Sequence, residues 1–276
     1  MYLIAGATGN VGGELVRALA AAGATVRGLS RDPDRADLPA GATAVAGDLN
    51  RPETLAGPLQ GARGVFLLPG YADMPGVLAA ARRAGVERVV LLSGSSAPGG
   101  DMSNAISRYM IESETAVRDS GLPWTILRPA GFMSNTLQWA PQLRAGDVVR
   151  APFAGVRVAT IDPYDIAAVA AAALLSGGHE GNAYMLTGPE ALLPADRVEV
   201  LAKVLGRALR FEAQPDDEAR AQLSAAMPVE YVDAFFSFYV DGTLDESRVL
   251  PAVEEILGRP PRTFEQWATA HADEFR

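Results

Sequence analysis

Short, mostly apolar runs recur along the first two-thirds of the chain, and between them the apolar positions fall at helical spacing. The runs YLIAG, TVRGLS, TAVAG, GVFLLP, RVVLLSG and WTILRP suit strands with both faces covered. Residues 11–22, 52–60, 74–84 and 104–119 read as helices, with Gly23, Gly61, Gly85 and Gly121 where each should stop. Strand and helix in strict alternation predict βαβ units, and hence an α/β fold built on a doubly wound parallel sheet.

After Pro129 the rhythm breaks into GFMSNTLQWAPQLRAGDVVRAPFAG. It resumes with a short strand VATI, a helix over 163–176 opened by Asp162-Pro163, and the strand AYMLTG. From about residue 189 the pattern is helical, with VEYVDAFFSFYVDG as its most apolar part. We therefore expect the sheet domain over residues 1–131 and 157–188. A smaller, mostly helical, substrate-side lobe over 132–156 and 189–276 would pack across the sheet's carboxyl edge.

Composition narrows the classes of function. The chain has 276 residues, 49% of them apolar, enough for a large core. With 24 basic against 33 acidic residues its net charge is -9, which argues against a nucleic-acid partner, because binding to phosphate backbones is driven by Lys and Arg. The absence of cysteine removes disulfides, thiolate metal ligands and thiol nucleophiles, and suits a reducing compartment. The first residues already read as a strand, with no basic leader before them, and no apolar segment approaches the roughly 18 residues that span a bilayer. These features lead us to expect a cytoplasmic protein without a membrane partner. Lys203 is the only lysine, so any mechanism needing one elsewhere is excluded.

The most informative stretch is the first turn, GATGNVGG. Gly6, Gly9 and Gly12 follow a strand and open a helix, the context in which a G-x-x-G-x-x-G spacing becomes a dinucleotide signal. Gly6 would allow the tight turn, Gly9 the approach of a pyrophosphate, and Gly12 close packing of helix on strand. The amides of the loop Thr8, Asn10 and Val11 would face the phosphates. At the end of the second strand, VRGLSRDPDRA places Arg31 where a guanidinium can fork onto a ribose 2′-phosphate. This favours NADP(H), although Asp32 one residue later keeps NAD(H) open as the less favoured alternative. Two roles fit Asp48: hydrogen bonding to an adenine amino group, or capping the helix that follows.

Taken together, GATGNVGG, the arginine in LSRDP, AGDLNRPETL, VFLLPG, RVVLLSGSS, E-x5-SGLPWTILRPAGFMSN and ATIDPYDIAAVA resemble the NmrA-like atypical short-chain dehydrogenase/reductases over about residues 1–175. The resemblance implies a Rossmann domain and a nicotinamide cofactor. Members include NADPH-dependent quinone reductases, isoflavone-type reductases, non-catalytic redox sensors and enzymes of aromatic polyketide tailoring, so the reaction stays open among these. On the same placement Leu49 beside Asp48, then Leu68, Pro69 and Gly70 after the fourth strand, Ser93 after the fifth, and Pro129 and Phe132 after the sixth would line the cofactor. Tyr71, Met110, Phe132, Met133, Trp139, Phe153 and Phe235 would wall a flat apolar pocket for a small aromatic substrate. A homodimer is the assembly to look for.

The wider superfamily uses a tyrosine and a lysine four residues later. Counted back from SGLPWTILRP, the lysine slot falls on Met110 and the tyrosine slot on Ile106, so the dyad is absent. Tyr109 is adjacent, but one residue turns a helical side chain by about 100°. It is a candidate proton donor or a half-buried packing residue. Ser93 and Ser95 stand at the height of a substrate carbonyl and would either donate to a developing oxyanion or satisfy their own turn. His179 and His271 offer no metal set, and we expect them at the surface. Without the dyad, a quinone or polycyclic aromatic ketone is the favoured acceptor, since a hydroquinone anion can take its proton from water. A non-catalytic NADP-binding sensor and an accessory enzyme of aromatic polyketide oxidation are the alternatives.

Overall fold

The computed structural model describes residues 1–276. The sheet domain opens with β1 (Tyr2–Ile4), α1 (Asn10–Ala21), β2 (Val26–Ser30) and β3 (Ala42–Ala46). It continues through the four-residue helix α2 (Ala56–Leu59), β4 (Gly64–Leu67), α3 (Met74–Arg83), β5 (Arg88–Leu92), α4 (Ala105–Asp119) and β6 (Trp124–Pro129). All six expected strands and their order are present. The expected 52–60 helix splits into a 3-10 turn at Pro52–Leu55 followed by α2, because Pro58 and Gly57 limit propagation there. Gly23, Gly61, Gly85 and Gly121 all take positive φ where the preceding helix ends.

The chain then leaves the sheet for α5 (Ala140–Ala145) and β7 (Val148–Ala151), and returns with α6 (Pro163–Leu175) and β8 (Asn182–Leu186). The seven strands run in the order β3-β2-β1-β4-β5-β6-β8, every neighbour parallel. Strand order reverses between β1 and β4, the switch point at which open α/β sheets bind ligands beyond their carboxyl ends. One face is covered by α1 and α6, through Leu15, Leu19, Ile166 and Val169. The other is covered by the 52–59 segment, α3 and α4, through Leu55, Leu59, Leu78 and Val117.

The remaining elements are α7 (Pro194–Leu205), β9 (Arg210–Ala213), α8 (Asp216–Ala226), α9 (Val229–Tyr239), α10 (Ala252–Leu257) and α11 (Phe264–Ala270). Two expectations need correcting here. The VATI segment is no sheet strand: Val158 and Ile161 make isolated bridges to Leu192 and Phe132. Conversely β7 and β9, absent from the sequence reading, pair in parallel as a separate two-stranded sheet. Both are short and half-exposed, with Asp147, Arg150 and Arg210 interrupting the apolar pattern that would have revealed them. The lobe has its own core of Trp139, Leu143, Val149, Val198, Leu201, Phe264 and Trp267. No helix is long and apolar enough to cross a membrane.

Candidate active site at the carboxyl edge of the sheet

The loop between β1 and α1 is built so that only glycine fits. Gly6 has φ 62°, and a Cβ there would stand 2.9 Å from the Leu68 side chain. On Gly12 a Cβ would stand 2.1 Å from the Gly6 carbonyl oxygen, a backbone clash. Gly9 is the N-cap of α1 and offers no side chain, so the first amides of the helix, from Asn10 and Val11 onward, have no cap to satisfy them. Thr8, Gly9 and Asn10 are exposed, whereas the Val11 side chain is buried under the sheet, leaving its amide as its contribution. This cradle, shaped by glycines whose side chains would fill it, fits a pyrophosphate.

Just past β2, Arg31 is exposed and Asp32 opens a 3-10 turn, its amide bonded to the Ser30 hydroxyl at 3.1 Å. Asp48 folds its own turn, accepting from the Asn50 amide at 2.9 Å, and does not cap the following turn. Leu49 is core. Tyr71 belongs to this end: it packs against the core cluster that holds Leu49, near the charges of Asp48 and Arg31, and burial raises its pKa. It does not line the aromatic cavity beyond β6, where it was expected.

Beyond β4, Gly70 takes φ 87° and lies against the Tyr109 ring, 3.3 Å from where a Cβ would stand. Its amide donates to Ser113 Oγ at 2.9 Å. Tyr109 is thus half-buried packing around the Leu68-Pro69-Gly70 turn, and burial pushes its phenol further from the range of a useful acid. Met110 lies under Gly94, where a Cβ would come within 2.5 Å of its Sδ, and it does not line the aromatic cavity beyond β6. Ser93 is buried and donates to Glu114 Oε1 at 2.7 Å. Glu114 also takes both ends of Arg128, at 2.8 and 2.5 Å, and Arg118 at 3.0 Å. Burial alone would raise the Glu114 pKa, but these donors outweigh it and hold the carboxyl below its usual range. Ser93 therefore belongs to a structural network clamping α4 to β6.

Ser95 has different company. Its Oγ donates to Glu246 Oε1 at 2.5 Å, and the other carboxyl oxygen accepts from Tyr239 Oη at 3.0 Å. Glu246 is buried beneath the Gly131 turn, and burial raises its pKa despite those hydrogen bonds. Burial and the adjacent carboxyl likewise push the Tyr239 phenol up. Sequence reasoning missed this triad because Glu246 sits in DGTLDESR, an acidic stretch with no periodicity to mark it as buried.

Past Pro129, a cavity of about 490 Å³ opens between the sheet edge and the lobe. Phe132, Trp139, Phe153 and Phe235 line it with Tyr239, Leu223 and Met227. Met133 does not: it is buried in the lobe core and against Gly188. Phe153 holds φ 57°, a strained setting for a non-glycine residue that turns its ring onto Phe236 and Tyr239, with centroids 5.4 and 5.1 Å away. Arg197 of α7 also lines the wall, its guanidinium 5.0 Å from the Trp139 ring centroid. Burial lowers its pKa to about 10, so it stays charged at neutral pH. Ser134 lines both this cavity and a second one beside Thr8 and Gly9, and accepts from Asn10 Nδ2 at 3.1 Å. The histidines stand apart from the aromatic cavity. His179 meets Tyr184 Oη at 3.1 Å, and His271 stacks on Trp267 next to the glycine-loop cavity.

A glycine cradle at the switch point and an aromatic cavity beyond the next strands define a dinucleotide-binding oxidoreductase of the Rossmann type. Residues 6–176 match the NAD(P)H-binding family, and the chain belongs to that family. A (4-alkanoyl-5-oxo-2,5-dihydrofuran-3-yl)methyl phosphate reductase of Streptomyces griseus is 44% identical, covering 100% of this chain and 99% of that one. An NAD(P)H azoreductase of Xenophilus azovorans is 38% identical over 100% and 99% respectively. The fold matches that of an NADPH-dependent quinone oxidoreductase of Escherichia coli complexed with NADPH, with a TM-score of 0.80 at 24% identity, over 99% of this chain and 100% of that one. The protein is an oxidoreductase that binds NAD(P)H, and the non-catalytic sensor alternative falls away.

Proposed function

We propose that this protein is an NADPH-dependent reductase of planar conjugated acceptors, quinones or polycyclic aromatic ketones, working without a Tyr-Lys dyad. The observation that carries the reading is Ser134, which joins the glycine loop through Asn10 and lines the aromatic cavity, so cofactor and acceptor would meet across one short segment. Bound in the cradle, NADPH supplies a hydride. Arg31 would hold the 2′-phosphate, and the loop amides the pyrophosphate. The Phe132, Phe153 and Phe235 rings would stack the acceptor flat and exclude water.

Negative charge then develops on an acceptor oxygen. Ser95 is the hydroxyl at the carboxyl end of β5 that can answer it, with Glu246 as proton reserve behind it. A carboxyl whose pKa is raised by burial keeps its proton to a higher pH than a free one, and its two hydrogen-bonded neighbours lead toward the sheet edge and the cavity. The named substrates of the relatives, a conjugated furanone, an azo compound and a quinone, share an electron-poor unsaturated acceptor, which supports this class. Steady-state NADPH oxidation with a panel of naphthoquinones, benzoquinones and anthracyclic ketones tests it. Turnover above the uncatalysed rate with at least one family is expected; none with any would refute the proposal.

A further inference from the structure

The cavity wall carries a charge that the reading above does not need. Arg197 lies within the first turn of α7, where the helix dipole disfavours a cation, and its Nε has no hydrogen-bond partner. Its sequence neighbour Asp196 is committed elsewhere, to Arg157 Nη1 at 3.1 Å and to the Leu193 amide at 2.9 Å. Glu246, the buried carboxyl nearby, is shared between Ser95 and Tyr239. Buried arginines are normally paired, because leaving the charge uncompensated is costly. A second polar atom on the same wall, Thr160 Oγ1, is also buried without a partner. Both residues line one cavity whose other walls are largely aromatic.

Given the reductase reading, we propose that the acceptor taken by this cavity is anionic: a conjugated ring bearing a phosphate, sulfonate or carboxylate that pairs with Arg197 and is completed by Thr160. Trp139, with the guanidinium over its ring, fixes the orientation of that charge. The α7 N-terminus adds to the same positive field. The ring would lie between Phe132, Phe153 and Phe235, and the anion would set which end points toward Ser95. Arg197 is on this account a specificity-determining residue that recognises the substituent and takes no part in the transfer itself.

The test reads binding rather than turnover, so it stands apart from the reductase reading. The probes are 8-anilinonaphthalene-1-sulfonate and its sulfonate-free parent, N-phenyl-1-naphthylamine. Each is titrated by fluorescence with NADP+ saturating, against wild type, Arg197→Gln and Arg197→Met. In wild type the sulfonate probe should bind about tenfold or more tighter than the neutral one. Both substitutions should erase that preference while leaving the neutral probe within about twofold. Equal affinity for the two probes in wild type would overturn the proposal, whether or not the variants fold. So would a preference that survives both substitutions, or a parallel loss of both probes in well-folded variants. Failure of the quinone panel with a retained sulfonate preference would sink the acceptor assignment and leave the anion site standing.

Discussion

Adjacent glycines in the first turn should respond in opposite ways to the same added methyl group. At Gly12 an alanine Cβ would lie 2.1 Å from the Gly6 carbonyl oxygen and 2.6 Å from its carbon, about 1 Å or more inside ordinary contact. The obstacle is backbone, so the loop itself must move. Overpacking of this kind costs about 1–3 kcal/mol in stability. A shift of about 1 Å also misaims the amides at the start of α1. Losing two charge-assisted hydrogen bonds to phosphate, each about 1.5–3 kcal/mol, corresponds to roughly 10²–10⁴ in affinity. At Gly13 the nearest atom to the new Cβ is the Ala7 carbonyl oxygen at 3.6 Å, an ordinary contact, and the residue is interior to α1. Alanine there should stabilise by about 0.5–1 kcal/mol and leave NADPH affinity within about twofold. Calorimetric titration of NADPH into both variants, with urea unfolding alongside, measures each term. Equal NADPH affinity for Gly12→Ala and Gly13→Ala would refute the cradle argument.

Other outcomes follow from the same structure. Arg31→Ala should weaken NADPH binding by about 10–100-fold, the worth of one forked phosphate contact, while leaving NADH unchanged; equal effects on both cofactors in fluorescence titrations would count against the 2′-phosphate role. Ser95→Ala should lower kcat by about tenfold or more, whereas Tyr109→Phe should leave it within about twofold, a contrast read directly from steady-state kinetics. Removing Glu114 by Glu114→Ala strands Arg128 and should cost about 3–5 kcal/mol in urea unfolding. Two carboxyls should also pull stability in opposite directions with pH. Glu114 has a folded pKa below its unfolded value, so its contribution is present above about pH 4.5 and lost as pH falls through the folded pKa. Glu246 has a folded pKa above its unfolded value, so its contribution is full below about pH 4.5 and lost as pH rises through the folded pKa. Glu246→Gln should therefore remove the loss of stability that sets in as pH rises above about 4.5, and Glu114→Gln the loss that sets in as pH falls below it; unchanged profiles would contradict both assignments.

The sheet domain was legible because its information is local and repeated. Each strand is an apolar run, α1, α2, α3 and α4 each end at a glycine with positive φ, and the glycine loop declares its ligand through backbone geometry that only glycine permits. The lobe hid its strands because β7 and β9 bury only part of one face and carry charges between their apolar positions. Four of the seven residues expected around the substrate do line the cavity: Phe132, Trp139, Phe153 and Phe235. Tyr71, Met110 and Met133 lie outside it, because periodicity marks a side chain as apolar without saying which of two apolar spaces it faces. The polar half of the site was the least legible. Ser95, Tyr239 and Glu246 are brought together over a separation of 151 residues, and Arg197 reads in the sequence as one more charge on a helix. Only the tertiary fold shows that one of these charges is half-buried with an unpaired Nε and another is a shared carboxyl.

The central claim is that the cradle and the aromatic cavity act on one reaction. Its most direct test is a single turnover: enzyme loaded with NADPH, mixed rapidly with a naphthoquinone, following loss of nicotinamide absorbance with unlabelled NADPH and with NADPH carrying deuterium at C4. A fast, saturable phase that slows with deuterium and disappears in Gly12→Ala is the predicted result. Tight NADPH binding with no oxidation, or an oxidation rate indifferent to both label and loop, would contradict it.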